Sequence, residues 1–103
     1  MIGGRPQSTP DAKLIKVIAQ ARHWYQQLRT GQMISIQDIA TDENVFRSEI
    51  SRVLPLAFLA PNIVSDILAG RQPIDLTAKI LSRKTANLPT NWDEQRRYLG
   101  FAA

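Results

Sequence analysis

Arg47, Ser48, Ser51 and Arg52 stand at positions i, i+1, i+4 and i+5 of one short segment. On a helix this spacing gathers all four on one face, because residues three and four apart are neighbours. A guanidinium offers a planar fork of donors that matches the O6 and N7 edge of guanine, and a serine hydroxyl can meet several base edges. Two short side chains between two arginines leave a narrow face, of a shape that can enter the major groove of double-stranded DNA. The same four residues also read as an ordinary solvated helix face. Glu49 could accept from a cytosine amino group, but reads more simply as a solubilising residue or as an ion-pair partner for Arg47 or Arg52.

Other chemistry finds little support. His23 is the only histidine and the chain has no cysteine, so disulfides and thiolate metal sites are excluded. No carboxylate or nucleophile stands at a suggestive spacing from His23, which reads as a packing or surface residue. No catalytic residue, metal ligand, cofactor or small-molecule substrate is expected, and no Gly-rich phosphate loop is present. The 103 residues carry 13 basic against 9 acidic side chains, a net charge of +4 that leans mildly towards polyanionic partners. A composition of 44% hydrophobic and 21% charged residues is that of a folded domain. No apolar run approaches the ~20 residues needed to span a bilayer, the N-terminus lacks the apolar stretch of a signal peptide, and a reducing cytoplasm is the expected location.

The elements that must position the arginine face can be read from caps and periodicity. Residues 1–10, with two glycines and two prolines, read as a flexible leader. Residues 11–101 form the domain. Asp11 caps a long first helix to about Arg29, whose buried face is Leu14, Ile15, Ile18, Ala21, Tyr25 and Leu28, and Gly31 stops it. Ser35 caps a second helix over Ile36–Asp42, with Asp38 in its first turn. A third spans Phe46–Leu54, where Pro55 ends it or kinks it for one more turn through Phe58. Pro61 opens a fourth helix with Ile63, Val64, Ile67 and Leu68 inward and Gly70 at its end. A fifth covers Leu76–Arg83, "SRKTANLPT" is a loop, and Asn91 with Glu94 forms a capping box for a last helix through Leu99. The fold class is all-α, a compact bundle of about five to six helices.

The second and third helices form a helix-turn-helix. Two helices meeting at ~90–120° need a small residue at their contact and a permissive one at the corner. Ala40 supplies the first. Asn44 supplies the second, since asparagine tolerates the left-handed conformation better than any side chain except glycine's hydrogen. Ile36, Ile39, Val45, Ile50 and Val53 lock the pair against the first helix, which turns Arg47, Ser48, Ser51 and Arg52 outward. The N-terminus of the second helix, near Ser35 and Gln37, is suited to a phosphate contact through backbone N–H groups. Trp24, Tyr25, Phe58, Trp92, Tyr98 and Phe101 read as core; Phe46 could stack on a sugar or a thymine methyl or fold back into the core, and the core is the preferred reading. Lys13, Lys16, Arg22 and Arg29 on the first helix, and Arg71, Lys79, Arg83 and Lys84 further on, could meet phosphates or face water. Arg96 and Arg97 suit the negative end of the last helix.

The segments "LIKVIAQARHWYQQL", "SRVLPLAFLAPNIVSDILAGRQP", "LTAKIL" and "NWDEQRRYLGF", together with the corner, cover nearly all of Asp11 to Phe101. In them the chain resembles the helical region near the C-terminus of bacterial and phage-type serine site-specific recombinases, which is itself similar to the ParB/KorB class of helix-turn-helix. The resemblance implies a non-catalytic DNA-binding module of a recombinase, or a stand-alone relative, with double-stranded DNA as partner and with a homodimer or a larger recombinase as its setting. It implies no chemistry in this chain, where the catalytic serine domain is absent. Two departures stand out: Asn44 and Phe46 replace the glycine and the small residue of the corner, and Pro55 stands where a basic residue is frequent. The rival reading is a helical interaction module that docks a partner or a second copy through "FLAPNIVSDIL" and "NWDEQRRYLGF".

Overall fold

Asp11 opens the first helix as expected: its carboxylate accepts from the N–H groups of Lys13 and Leu14 at 2.9 and 3.2 Å. The helix, α1, runs Ala12–Thr30 and stops at Gly31, whose φ of 82° is the left-handed cap that favours glycine. The computed structural model describes residues 10–101, and the leader expected over residues 1–10 lies outside them except for Pro10. Five further α-helices follow: α2 Ile36–Glu43, α3 Arg47–Val53, α4 Pro61–Leu68, α5 Ala78–Lys84 and α6 Trp92–Leu99. Short 3-10 turns join α3 to α4 at Leu54–Phe58 and extend α5 at Thr85–Asn87. No strand occurs among the described residues, so the architecture is an all-α bundle.

The inner face of α1 is Leu14, Ile18, Ala21 and Trp24, all buried. It packs across the Leu54–Phe58 turn and against α3, α4 and α5. From those elements Ile50, Val53, Leu56, Ile63, Ile67 and Leu81 complete one continuous core with Ile39 and Ala40 of α2 and Leu99 of α6. Ile50 is fully buried; truncating such a residue to alanine costs about 2–5 kcal/mol, transfer and cavity terms together. α3 is held mainly by this inner side, since at seven residues its own hydrogen bonds would not sustain it in water.

Several expectations require correction. Trp24 rather than Tyr25 is the fully buried aromatic of α1; Tyr25 is half-buried and meets the Phe58 ring edge-on at 4.8 Å. Phe46, expected in the core, is 79% exposed. It is the N-cap of α3 with extended backbone (φ −75°, ψ 142°), so the helical rotation that would aim it at the core does not apply to it. Phe58 and Trp92 are also exposed, and so is Leu68 at the outer edge of α4. α5 starts two residues later than expected because the Thr77 hydroxyl accepts from the Ile80 N–H and caps it there, leaving Leu76 buried ahead of the helix. The "SRKTANLPT" stretch is not a plain loop: Ser82–Lys84 close α5 and Thr85–Asn87 form a 3-10 turn. At Pro55 the second expected outcome holds: α3 gives way to one more turn, a 3-10 turn through Phe58, where proline sits without breaking an α-helical hydrogen bond.

Two polar side chains, one buried and one half-buried, fix what the apolar core leaves loose. Gln95 of α6, 2% exposed, accepts from the Ala60 N–H at 2.8 Å and donates to the carbonyls of Pro89 and Phe58 at 2.8 and 3.3 Å. It supplies the partners that backbone near the start of α4 would otherwise lack. Asp66 of α4 receives Arg96 and Arg71, each at 3.0 Å. Burial opposes its charge, but the hydrogen bonds and positive charge of Arg96 and Arg71 prevail and hold the carboxyl below its ordinary range. Arg96 also lies over the Phe101 ring at 5.3 Å, so its role is wider than complementing the helix dipole.

Candidate nucleic-acid interface

The corner between α2 and α3 is made by Asn44, Val45 and Phe46. Asn44 takes φ 58° and ψ 48°, and among the described residues it is the one non-glycine with positive φ. This left-handed residue ends α2, and the Val45 N–H returns to the Ala40 carbonyl at 3.1 Å. Ala40, 4% exposed, occupies the contact where a larger side chain would hold the helices apart. Glu43, the last residue of α2, accepts from the Trp24 indole N–H at 2.9 Å. That bond ties the corner to α1 and gives the acid a structural task.

Beyond the corner, Ile50 and Val53 face inward while Arg47, Ser48, Ser51 and Arg52 are all exposed. Among the described residues neither arginine forms an ion pair, and Glu49, half-buried beside them, is not engaged by either. The end of α3 is anchored from α5: the Thr85 hydroxyl lies 2.6 Å from the Arg52 carbonyl and 2.8 Å from that of Ser82, and its one proton serves whichever it faces.

The expected residues fall into three groups. Gln37, Arg47 and Ser48 are brought together, with Thr41, Val45 and Phe46, around an open cleft of about 430 Å³ between α2 and the start of α3. Arg52 lines a different opening, shared with α5. Ser51 sits on the exposed side of α3 and lines neither. Ser35 is half-buried and its hydroxyl accepts from the Asp38 N–H at 3.1 Å, so it serves as the cap of α2. Gln37 is exposed and its amide donates to the Thr41 hydroxyl at 3.2 Å.

Two neighbours of this face are placed there only by the structure. Phe46 projects from the corner beside Arg47, an apolar surface of the kind that meets a thymine methyl. Its signal was present, since an N-cap residue stands outside the helical wheel. Lys79, Ser82 and Arg83 border the opening next to Arg52, and only the packing of α5 on α3 brings them there. Lys13, Lys16, Arg22 and Arg29 are all exposed along α1. Among the described residues no single helix is long and apolar enough to cross a membrane. No family model, curated protein or solved structure matches the chain.

Proposed function

We propose that this domain binds double-stranded DNA and recognises sequence by inserting α3 into the major groove, without catalytic activity, cofactor or small-molecule substrate of its own. In this reading α3 enters the groove through Arg47, Ser48, Ser51 and Arg52, and the start of α2 near Ser35 and Gln37 meets a phosphate. One observation carries it. The polar side of α3 is uncovered and its arginines are unpaired among the described residues, while the opposite side is sealed into the core. A domain with no use for that face would be expected to neutralise it with the acids it already has at hand.

A single module of this kind offers an interface of about 600–1,000 Å². Tight binding then calls for a homodimer or for tethering within a larger protein, and a site-specific recombinase is the setting the sequence resemblance suggests. The test is a salt titration of binding to a random duplex pool, with sequencing of what is retained. The affinity should fall with a log–log slope of about −0.9 per neutralised phosphate, and one motif should be enriched. Arg47→Ala and Arg52→Ala should each weaken binding, and an arginine that reads a base should cost about 1–3 kcal/mol and relax the preference at one position. Equal retention of all sequences, with both variants unchanged, refutes the reading.

A second reading is supported by a different surface. Phe58 and Trp92, both more than half exposed, line a groove of about 550 Å³ with Pro55, Pro61, Leu88 and Pro89. That surface suits a protein partner. If docking there is the whole function, the arginine variants leave partner binding intact.

A further inference from the structure

The basic residues beyond α4 are not equivalent. Arg71 is drawn to Asp66 at 3.0 Å. Lys84 donates to the Tyr98 carbonyl at 2.9 Å and lies 4.9 Å from the centre of that ring, while the Tyr98 hydroxyl donates back to the Lys84 carbonyl at 3.0 Å. Both cations are occupied with the fold. Lys79 and Arg83 are exposed and, among the described residues, form no ion pair. They stand four residues apart on α5 and therefore on one side of it.

That side faces α3. Lys79, Ser82 and Arg83 border an opening of about 380 Å³ whose other wall is Arg52. Three cations and a hydroxyl thus surround one space, and no carboxylate lines it; Glu49 on α3 and Asp75 ahead of α5 both lie outside its lining. The carbonyl end of α3, which would repel an anion, is met at Arg52 by the Thr85 hydroxyl. The same contact holds the two walls together. Separate lysines on a surface give a diffuse field, but cations converging from two braced helices define a position for one anion.

We propose that this cleft seats a backbone phosphate of duplex DNA, beside the groove that α3 enters. The inference rests on the DNA-binding reading above and adds a second kind of contact to it, one that fixes register and carries no sequence information. Its footprint extends from the corner to α5, which gives this short α3 a support outside the groove.

The test uses the full chain with Lys79→Ala and Arg83→Ala combined, beside Arg47→Ala, on the enriched duplex and on random duplex. Thermal unfolding of the double variant should match the parent, since both side chains are exposed. Its salt slope should be shallower by about one to two, with affinity lowered about tenfold for each lost contact near 0.1 M salt, equally on both duplexes and with the sequence preference unchanged. A scan of single neutral methylphosphonate linkages should find one flanking position that weakens the parent and leaves the double variant unaffected. Inorganic phosphate at constant ionic strength should not compete, as a free-anion site would require. If the double variant keeps the parental slope while Arg47→Ala weakens binding, the phosphate seat is refuted and the DNA reading stands. A change of sequence preference in the double variant also refutes it, because the cleft would then be reading bases. If no duplex is retained by any form, both proposals fall together.

Discussion

Replacing Gln95 with leucine isolates the energetic role of one buried amide. Leucine is similar in size and apolar, so the transfer of the side chain itself favours the variant slightly. Against this stand three backbone groups that lose their partner. Ala60 is fully buried, so its N–H is left without a hydrogen bond, a penalty of about 1–3 kcal/mol. The carbonyls of Phe58 and Pro89 belong to exposed and half-buried residues that water can approach, so each should cost less, about 0.5 kcal/mol. The net expectation is a loss of about 2–3 kcal/mol. For a domain of this size that corresponds to a fall in Tm of roughly 10–20 °C, read by thermal and urea unfolding. Gln95→Glu separates hydrogen bonding from volume. A carboxylate keeps the acceptor for Ala60 but faces two carbonyl oxygens, so its folded pKa should rise above the ordinary value of about 4.3. With a raised folded pKa, the stability of this variant relative to the parent is fullest below about pH 4 and is lost as pH rises through the folded value. A leucine variant within about 0.5 kcal/mol of the parent, or a glutamate variant whose deficit does not change with pH, would refute the reasoning.

Asn44→Gly should be neutral or stabilising by up to about 1 kcal/mol, because the corner backbone is left-handed, whereas Asn44→Ala should cost about 1 kcal/mol; equal melting temperatures for the two would contradict a left-handed corner. Asp66→Asn should lose about 1–2 kcal/mol at pH 7, where its hydrogen bonds to Arg96 and Arg71 are charge-assisted. Because the carboxyl is depressed in the folded state, this contribution is present above about pH 4 and fades as pH falls through the folded value, so parent and variant should converge in acid unfolding curves. Phe46→Ala should change stability by less than about 0.5 kcal/mol, since the ring is exposed, and should lower affinity for the enriched duplex if thymines lie in the motif. Replacing those thymines by uracil should then reproduce the loss in the parent and add nothing in the variant.

The parts of this fold that were legible are those set by a few neighbouring residues. Asp11, Ser35, Asn91 and Gly31 announce helix ends because a cap is a local hydrogen bond or a local dihedral. Asn44 announced the corner for the same reason. Where the outcome depends on distant packing, the sequence was mute or misleading. Trp24 and Tyr25 are adjacent on α1 and either could have faced inward; the one that is buried finds an acceptor for its indole N–H in Glu43, nineteen positions away. Phe58 and Trp92 carry the apolar chemistry of core residues, yet they line a surface groove because two short elements meet there. Thr85 and Gln95 look like solvent-facing residues until backbone from positions 52, 58, 60 and 89 is folded onto them. The arginine face was legible as a face. Its extension to Lys79 and Arg83 was not, because only the docking of α5 creates it.

The Thr85 contact with the Arg52 carbonyl has one more consequence. It grips α3 by the main chain, and the side chains of positions 47, 48, 51 and 52 take no part in holding the helix in place. Those four letters can therefore be rewritten while the framework beneath them stays intact. A library randomised there alone should yield folded members in high proportion, each a variant of one scaffold with an interchangeable outer surface.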